Sequence, residues 1–394
     1  MTVTGIVSAD DHVVEPANLW TSRLPQKFQD RAPRLVREHG HLVPGPNNES
    51  QFKVSDEGDW ADIWHYEDFR VGLINGAAAV GFGREDIQDG LVTYDQIRPG
   101  CYEQKARLED MDAAGIEASL CFPNTFVRFS GQRFFFAKDK ELALACIKAY
   151  NDFIVEEWSA NSNNRLVPCS IVPLWDPKLA AEEIRRQAAR GVRAVTFSEM
   201  PPYLGLPSIY SGHWDPFFQA CSETRTALML HVGSSSQLPN TSADAPFVVV
   251  HALPSNNSAA ALVDWLSSGK FEQFPDLKVC LAESNIGWVP YFLQRMDMLW
   301  DGGREFNGLG ERLKKRPSEY YYSNMFVTFF SDEFGTKNLE EIGVDNAIFE
   351  TDYPHGDSTW PNCLQVGMDQ TAHLDPAVRE KVLRGNARRL FGLD

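Results

Sequence analysis

The feature that most restricts how this chain can fold is a repeated exchange between short apolar strands and helical stretches. Residues 5–9, 117–122, 166–174, 193–197, 227–230, 278–282, 325–329 and 346–349 read as strands. Residues 102–114, 140–160, 178–190, 216–223, 259–266, 289–300, 339–342 and 376–390 read as helices, most of them filling the gaps from residue 101 onward. The longest of these carries Leu142, Cys146, Tyr150, Phe153 and Trp158 on one stripe, the period of a helix with one buried face. Alternating β and α units imply a parallel sheet. Eight of them favour closure into a distorted (β/α)8 barrel of the α/β class over an open, doubly wound sheet. A length of 394 residues suits one such domain, 1–394, with insertions.

Residues 15–98 break the rhythm. Pro16, Pro25, Pro33 and Pro44 punctuate them, residues 45–50 form a turn-rich tip, and Trp60, Trp64, His65 and Tyr66 cluster without helical period. The stretch reads as irregular and is too long for a plain loop, so an insertion packed over the barrel mouth as a lid is expected.

The first strand is not followed by GxGxxG, and GxxxxGK[ST] occurs nowhere, which argues against dinucleotide and phosphate-loop chemistry. No GxSxG elbow supports a serine nucleophile. A formal charge of −17 offers nucleic acid no basic stripe, and no apolar run reaches the ~18 residues of a membrane span. The N-terminus lacks a basic, then apolar, leader. Seven cysteines are scattered without a CxxC pair. Reduced thiols and a cytoplasmic location are therefore expected.

Chemistry gathers where strands end. Asp10 and His12 follow the first strand, and residues two apart share a face while Asp11 points away. Glu199 follows the fourth strand, His231 the fifth, Glu283 the sixth and Asp352 the eighth, with His355 on the loop opened by Pro354 and Gly356. Any one of these has an ordinary explanation, such as a helix cap or a hydrogen-bonded structural histidine. Their convergence on the rim where barrel enzymes do chemistry does not. Four carboxylates on one rim repel by roughly 4 kcal/mol per close pair, so they hold protons at raised pKa values or they hold cations. Two divalent ions would balance Asp10, Glu199, Glu283 and Asp352, with His12 and His231 completing the shell. Oxygen donors with two imidazoles suit iron or manganese better than zinc.

The motifs Asp10-Asp-His-Val-Val-Glu-Pro, Phe197-Ser-Glu, His231-Val-Gly, Glu283-Ser-Asn-Ile-Gly-Trp-Val-Pro, Thr351-Asp-Tyr-Pro-His and Gly385-Asn-Ala-Arg-Arg-Leu-Phe resemble the amidohydrolase superfamily. The branch they resemble includes aminocarboxymuconate-semialdehyde decarboxylase. The resemblance implies a metal held by Asp10, His12, His231 and Asp352. Two positions depart from it: Glu283 stands where a histidine is usual, and Asp10 replaces the first histidine of a His-x-His pair. Glu199 stands where dinuclear members place a bridging ligand.

A set of two histidines and four carboxylates is similar to that of nonheme diiron oxygenases. They include the unusual type on this same fold that hydroxylates a diterpenoid in platensimycin and platencin biosynthesis. This resemblance implies a monooxygenase of natural-product biosynthesis acting on an apolar small molecule, with two Fe(II) ions, O2 as co-substrate and an unknown electron donor. Phe126, Phe129, Phe134, Phe135 and Phe136 could line its cavity or be ordinary core. The alternative is a metal-dependent hydrolase or nonoxidative decarboxylase of a small carboxylate, with one zinc or manganese. Glu283, His355 and His251 are the catalytic candidates: Asp352 or Glu283 as base, His355 or His251 as proton donor. His251, in an apolar run 248–250, could equally be a core residue. A non-catalytic binding barrel is disfavoured by the cost of convergent carboxylates. Partners are expected to be a small-molecule substrate, neither nucleic acid nor membrane, and, by family resemblance, a second copy of the chain.

Overall fold

β1 (Ile6–Val13) opens a parallel barrel, and an antiparallel sheet then interrupts it before the barrel resumes. The computed structural model describes residues 3–44, 50–87, 90–242, 244–246 and 248–393. The interrupting sheet contains β2 (Arg34–Pro44), β3 (Ser50–Val54), β4 (Asp59–Tyr66) and β5 (Phe69–Gly72), in the order β3-β2-β4-β5. The barrel continues through β6 (Ile116–Pro123), β7 (Leu166–Ser170), β8 (Ala194–Thr196), β9 (Ala227–His231), β10 (Val279–Ala282), β11 (Met325–Phe329) and β12 (Ala347–Phe349). Its eight strands run β1-β6-β7-β8-β9-β10-β11-β12, with parallel neighbours throughout. The expected eight-stranded α/β barrel is therefore present.

Two layers of apolar side chains hold it. Val7, Ala9, Leu120, Met229, Cys280 and Ile348 fill the barrel interior, while the alternate residues Ile6, Leu228, Leu281 and Phe349 pack outward with the helices. This is the two-sided burial that makes parallel strands read as continuous apolar runs. All seven cysteines are free and buried. Among the described residues no helix is long and apolar enough to cross a membrane.

Several elements differ from the sequence reading, among them the strand expected over 166–174, which ends at Ser170, and the helix expected over 376–390, which a π turn, Lys381–Gly385, interrupts. β1 runs on to Val13, so Asp10 and His12 lie within the strand. The helix expected over 140–160 ends at Phe153 and passes into a wider π turn, Ile154–Trp158, where Ser159 N–H reaches back to Ile154. Residues 34–44 and 50–72 supply an antiparallel sheet where an irregular stretch was expected. In β4, Ala61 and Ile63 meet Phe52 on one face, while Trp64 packs on Trp20 and Phe126 at 5.1 and 4.9 Å on the other. With both faces apolar, the polar–apolar alternation that marks a strand is erased. Most of the turn-rich tip, residues 45–49, lies outside the described residues.

The insertion is tied to the barrel mouth by hydrogen bonds to main-chain oxygens. Ala79 N–H donates to Pro354 O at 2.7 Å, Gly356 N–H to Gly76 O at 3.0 Å, and the Asn124 side-chain amide to Ala77 O at 3.0 Å. The barrel seam between β1 and β12 is closed in a similar way. Asp352 N–H donates to Asp10 O at 2.8 Å, and His12 N–H to Tyr353 O at 2.6 Å.

Candidate metal centre

A bulge in β1 sets up the site. Ser8 pairs with Ser119 but Asp11 pairs with Cys121, so three steps on β1 answer two on β6. Val7 and Ala9 face inward, and strict alternation would put Asp10 and His12 on the other side. The extra residue resets the phase. Asp11 then points away from the cluster and accepts from Ser8 Oγ at 3.2 Å, Thr351 Oγ1 at 2.5 Å, Tyr353 N–H at 3.0 Å and the Ser119 hydroxyl.

Asp10, His12, His231 and Asp352 meet at the C-terminal mouth of the barrel, all buried, with ligand atoms within 4.8 Å of one another. His12 Nδ1 donates to Pro123 O at 3.0 Å and His231 Nδ1 to Val232 O at 2.7 Å. Each Nε2 is thereby left with its lone pair turned inward. The two Nε2 atoms are 3.2 Å apart. His231 Nε2 lies 3.1 Å from Asp10 Oδ2, and His12 Nε2 lies 3.4 Å from both Asp10 Oδ1 and Asp352 Oδ1. Burial holds His12 well below its usual range and His231 at about 4, so both imidazoles are neutral at neutral pH.

Both carboxylate oxygens of Asp10 and Oδ2 of Asp352 are buried without a hydrogen-bond partner. Buried polar atoms are rarely orphaned without a reason. Here inward lone pairs of nitrogen and oxygen surround one point, a donor set that fits a divalent cation. Burial lifts Asp10 well above the usual carboxylate range and Asp352 to about 8.

Glu283 is half-buried at the edge of this group, its Oε2 3.5 Å from His231 Nε2. With Asp352 and the exposed Asp357 it forms a second, overlapping set of close carboxylates. Glu350, at the end of β12, is fully buried and accepts from Glu283 N–H at 3.2 Å. Burial, then the surrounding carboxylates, push Glu283 well up. His355 Nδ1 sits 2.9 Å from Asp352 Oδ1. Burial opposes its protonation, but the carboxylate beside it prevails and raises it to about 9. Glu283 and Asp352 both hold positive φ, 55° and 53°, conformations costing a non-glycine residue about 1–3 kcal/mol that recur at functional sites.

Two expected residues are not gathered in. Glu199 stands outside the group of four. Its Oε1 accepts from Gly233 N–H, Ser235 Oγ and Asn257 Nδ2 at 3.0, 3.0 and 3.1 Å, bracing the loop after β9. His251 is exposed on a short helix, Val248–Ala252, none of whose residues is buried. The valine run before it is therefore neither a strand nor core. Of the phenylalanines, Phe126 and Phe134 are core, while Phe129 stacks on His231 at 4.3 Å between ring centres. Sequence reasoning missed Glu350 and Asp357. Glu350-x-Asp352 has the same two-residue spacing as Asp10-x-His12, a signal that was there to be read.

A cavity of about 330 Å³ opens beside the cluster. Its walls include His12 and His355 from the site, Arg128 and Phe129 from the loop after β6, and Leu42, Val71, Gly72, Ile74 and Ala77 from the insertion.

The amidohydrolase family profile matches residues 37–393. The chain belongs to the amidohydrolase family. Gamma-resorcylate decarboxylase of Rhizobium sp. (strain MTP-10005) is 28% identical over 322 residues, 74% of this chain and 88% of its own. Two solved structures share the fold. An amidohydrolase of Mycobacterium avium subsp. paratuberculosis K-10 has a TM-score of 0.67 at 20% identity over the whole of both chains. A dihydroxybenzoic acid decarboxylase of Polaromonas sp. JS666, solved with manganese and the inhibitor 2-nitroresorcinol, has a TM-score of 0.62 at 18% identity, covering 99% of this chain and 97% of its own.

These comparisons correct the functional expectation drawn from the ligand count. The relatives by sequence are decarboxylases, and the diiron monooxygenase reading, with its iron, O2, hydroxylation chemistry and place in natural-product biosynthesis, is overturned. The physical reason lies in Glu199. The expected set of two histidines and four carboxylates depended on Glu199 as a bridge, and Glu199 stands outside the group of four, with its Oε1 bonded into the β9 loop.

Proposed function

We propose that this member of the amidohydrolase family is a metal-dependent, nonoxidative decarboxylase of a small aromatic carboxylate. The observation that carries the reading is the buried quartet Asp10, His12, His231 and Asp352, in which three of the four carboxylate oxygens have no hydrogen-bond partner and both imidazole Nε2 atoms face one point. The kinship with gamma-resorcylate decarboxylases supports the reaction class.

The quartet would hold the ion, with manganese favoured by its oxygen-rich donors and by the manganese in the Polaromonas relative. Bound there, the cation would supply the positive charge that draws in the substrate carboxylate and stabilises an adjacent oxyanion. The remaining work falls to side chains of the chain. His355 Nδ1 lies 2.9 Å from Asp352 Oδ1, and the charge of that carboxylate raises the imidazole to about 9, so His355 is the group that retains a proton at neutral pH. From there a proton can be delivered to the ring carbon that loses its carboxylate. The C–C bonding pair returns to the ring and then to the new C–H bond as CO2 departs. Phe129, against His231, and the apolar residues of the insertion limit water around that carbon. On this reading the insertion serves as the lid. Glu283, on the rim beside His231, is positioned to orient a water or a substrate hydroxyl.

The test is direct. Manganese-loaded protein incubated with 2,6-dihydroxybenzoate and related hydroxybenzoates under nitrogen should release CO2 and the matching phenol, and a chelator should stop it. Failure to decarboxylate any of them, or turnover only when O2 is admitted, would defeat the reading.

A further inference from the structure

We propose that Arg128 receives a second anionic oxygen of the substrate, distinct from the carboxylate that is lost, and so selects ring acids carrying two oxyanions. The inference rests on the decarboxylase reading for which group is lost, but not for the anion contact itself. Arg128 is the only lysine or arginine among the described residues lining the 330 Å³ cavity that also contains His12 and His355. The rest of that lining is largely apolar: Leu42, Val71, Ile74, Ala77 and Phe129. In such a wall a guanidinium is the group suited to an oxyanion, because it offers a planar fork of donors in a place of low dielectric.

The backbone goes to some length to present it. Arg128 has φ 60° and ψ 167°, a conformation natural to glycine alone, and Ser130 and Gly131 follow with φ 55° and 75°. The loop is held in this shape from beneath. The buried Glu15 carboxylate accepts from Asn124 N–H at 3.2 Å and Val127 N–H at 3.0 Å, and Arg128 N–H donates to Asn124 O at 3.0 Å. The next residue, Phe129, occupies the position against His231. The guanidinium instead meets the loop beyond β9, where Nη2 donates to Ser236 Oγ at 3.1 Å and that hydroxyl donates to Gln132 Oε1 at 2.8 Å. The charge is thus set on the cavity wall one residue away from the ring that packs on the metal-side imidazole, where it would meet the far substituent of a bound ring rather than the group at the cluster. The cavity is sized for one ring with small substituents.

The experiment uses manganese-loaded protein and matched ligands differing only in the charge of the second group: 1,3- and 1,4-benzenedicarboxylate against their monoamides, by calorimetric titration. Wild-type protein should bind at least one dicarboxylate about 10-fold or more tighter than its monoamide, the range of a charge-assisted hydrogen bond. Arg128→Gln should abolish the preference while leaving metal content and monoamide affinity unchanged. Arg128→Lys, which keeps the charge but loses the fork, should retain part of it and carries the test if the glutamine variant does not fold. Equal affinity of wild type for the charged and neutral partners, or a preference that survives in either variant at full strength, overturns the proposal. Charge preference without decarboxylation of any benzoate would defeat only the reaction assigned above, and decarboxylation without charge preference would defeat only the role of Arg128.

Discussion

Asp352 is the residue on which most of the site depends: it faces His12 at 3.4 Å and His355 at 2.9 Å, is wholly buried, and holds a left-handed backbone. Without a cation its burial beside Asp10 is unfavourable, and the protein answers by holding protons there. Asp352→Asn should therefore leave the melting temperature of chelator-treated protein unchanged or raise it. It should also remove most of the stabilisation that added manganese confers on wild type, about 3–4 kcal/mol at concentrations well above Kd. Calorimetric melting with and without the ion reads both. The four members of the quartet were legible in the sequence because residue type and strand-end position sufficed to find them. Glu199, expected as a ligand from its position in the chain, stands outside the quartet, and its Oε1 accepts from three donors at the loop after β9. Arg128 was invisible, since its significance lies in a backbone conformation that no residue pattern announces.

Among elements, β1 shows how much a single inserted residue decides. Its bulge turns Asp10 and His12 toward the cluster and frees Asp11 to bind β6 and the β12 loop together. Asp11→Ala would leave the hydroxyls of Ser8, Ser119 and Thr351 and the Tyr353 N–H without their acceptor. At about 1–3 kcal/mol per buried donor, partly relieved by relaxation, a loss of about 3–5 kcal/mol is expected in urea unfolding. Asp11→Asn should cost less. The eight barrel strands were readable from sequence because each is a short apolar run bounded by turns. The bulge was not, because an inserted residue leaves composition untouched. The sheet of the insertion was hidden by its own burial, with Ala61 and Ile63 on one face and Trp64 and Tyr66 on the other.

For the molecule as a whole, buried carboxylates set the response to pH. Burial raises Glu15 and Glu199 to about 7, each against the hydrogen bonds it accepts. Between the unfolded value near 4.5 and that raised value, the folded chain keeps protons that the unfolded chain has released. Stability therefore falls as pH rises through this window and levels off above it, by up to ~1.4 kcal/mol per pH unit for each proton. Metal-free protein should be more stable to urea at pH 5 than at pH 7.5, and Glu15→Gln, which can still accept from Asn124 and Val127, should flatten that slope by up to one proton's share. An unchanged slope would remove Glu15 from the account.

The bonds from Asp352 N–H to Asp10 O and from His12 N–H to Tyr353 O make three of the quartet part of the weld between the first and last staves of the barrel. A fluctuation that parts the staves also scatters the quartet, and a guest held by the quartet fastens the staves. Deuterium uptake at the amides of His12 and Asp352 should thus slow when manganese is added, far more than at β8 on the other side of the barrel. Catalytic competence and the integrity of the cylinder would then be gained and lost in one step.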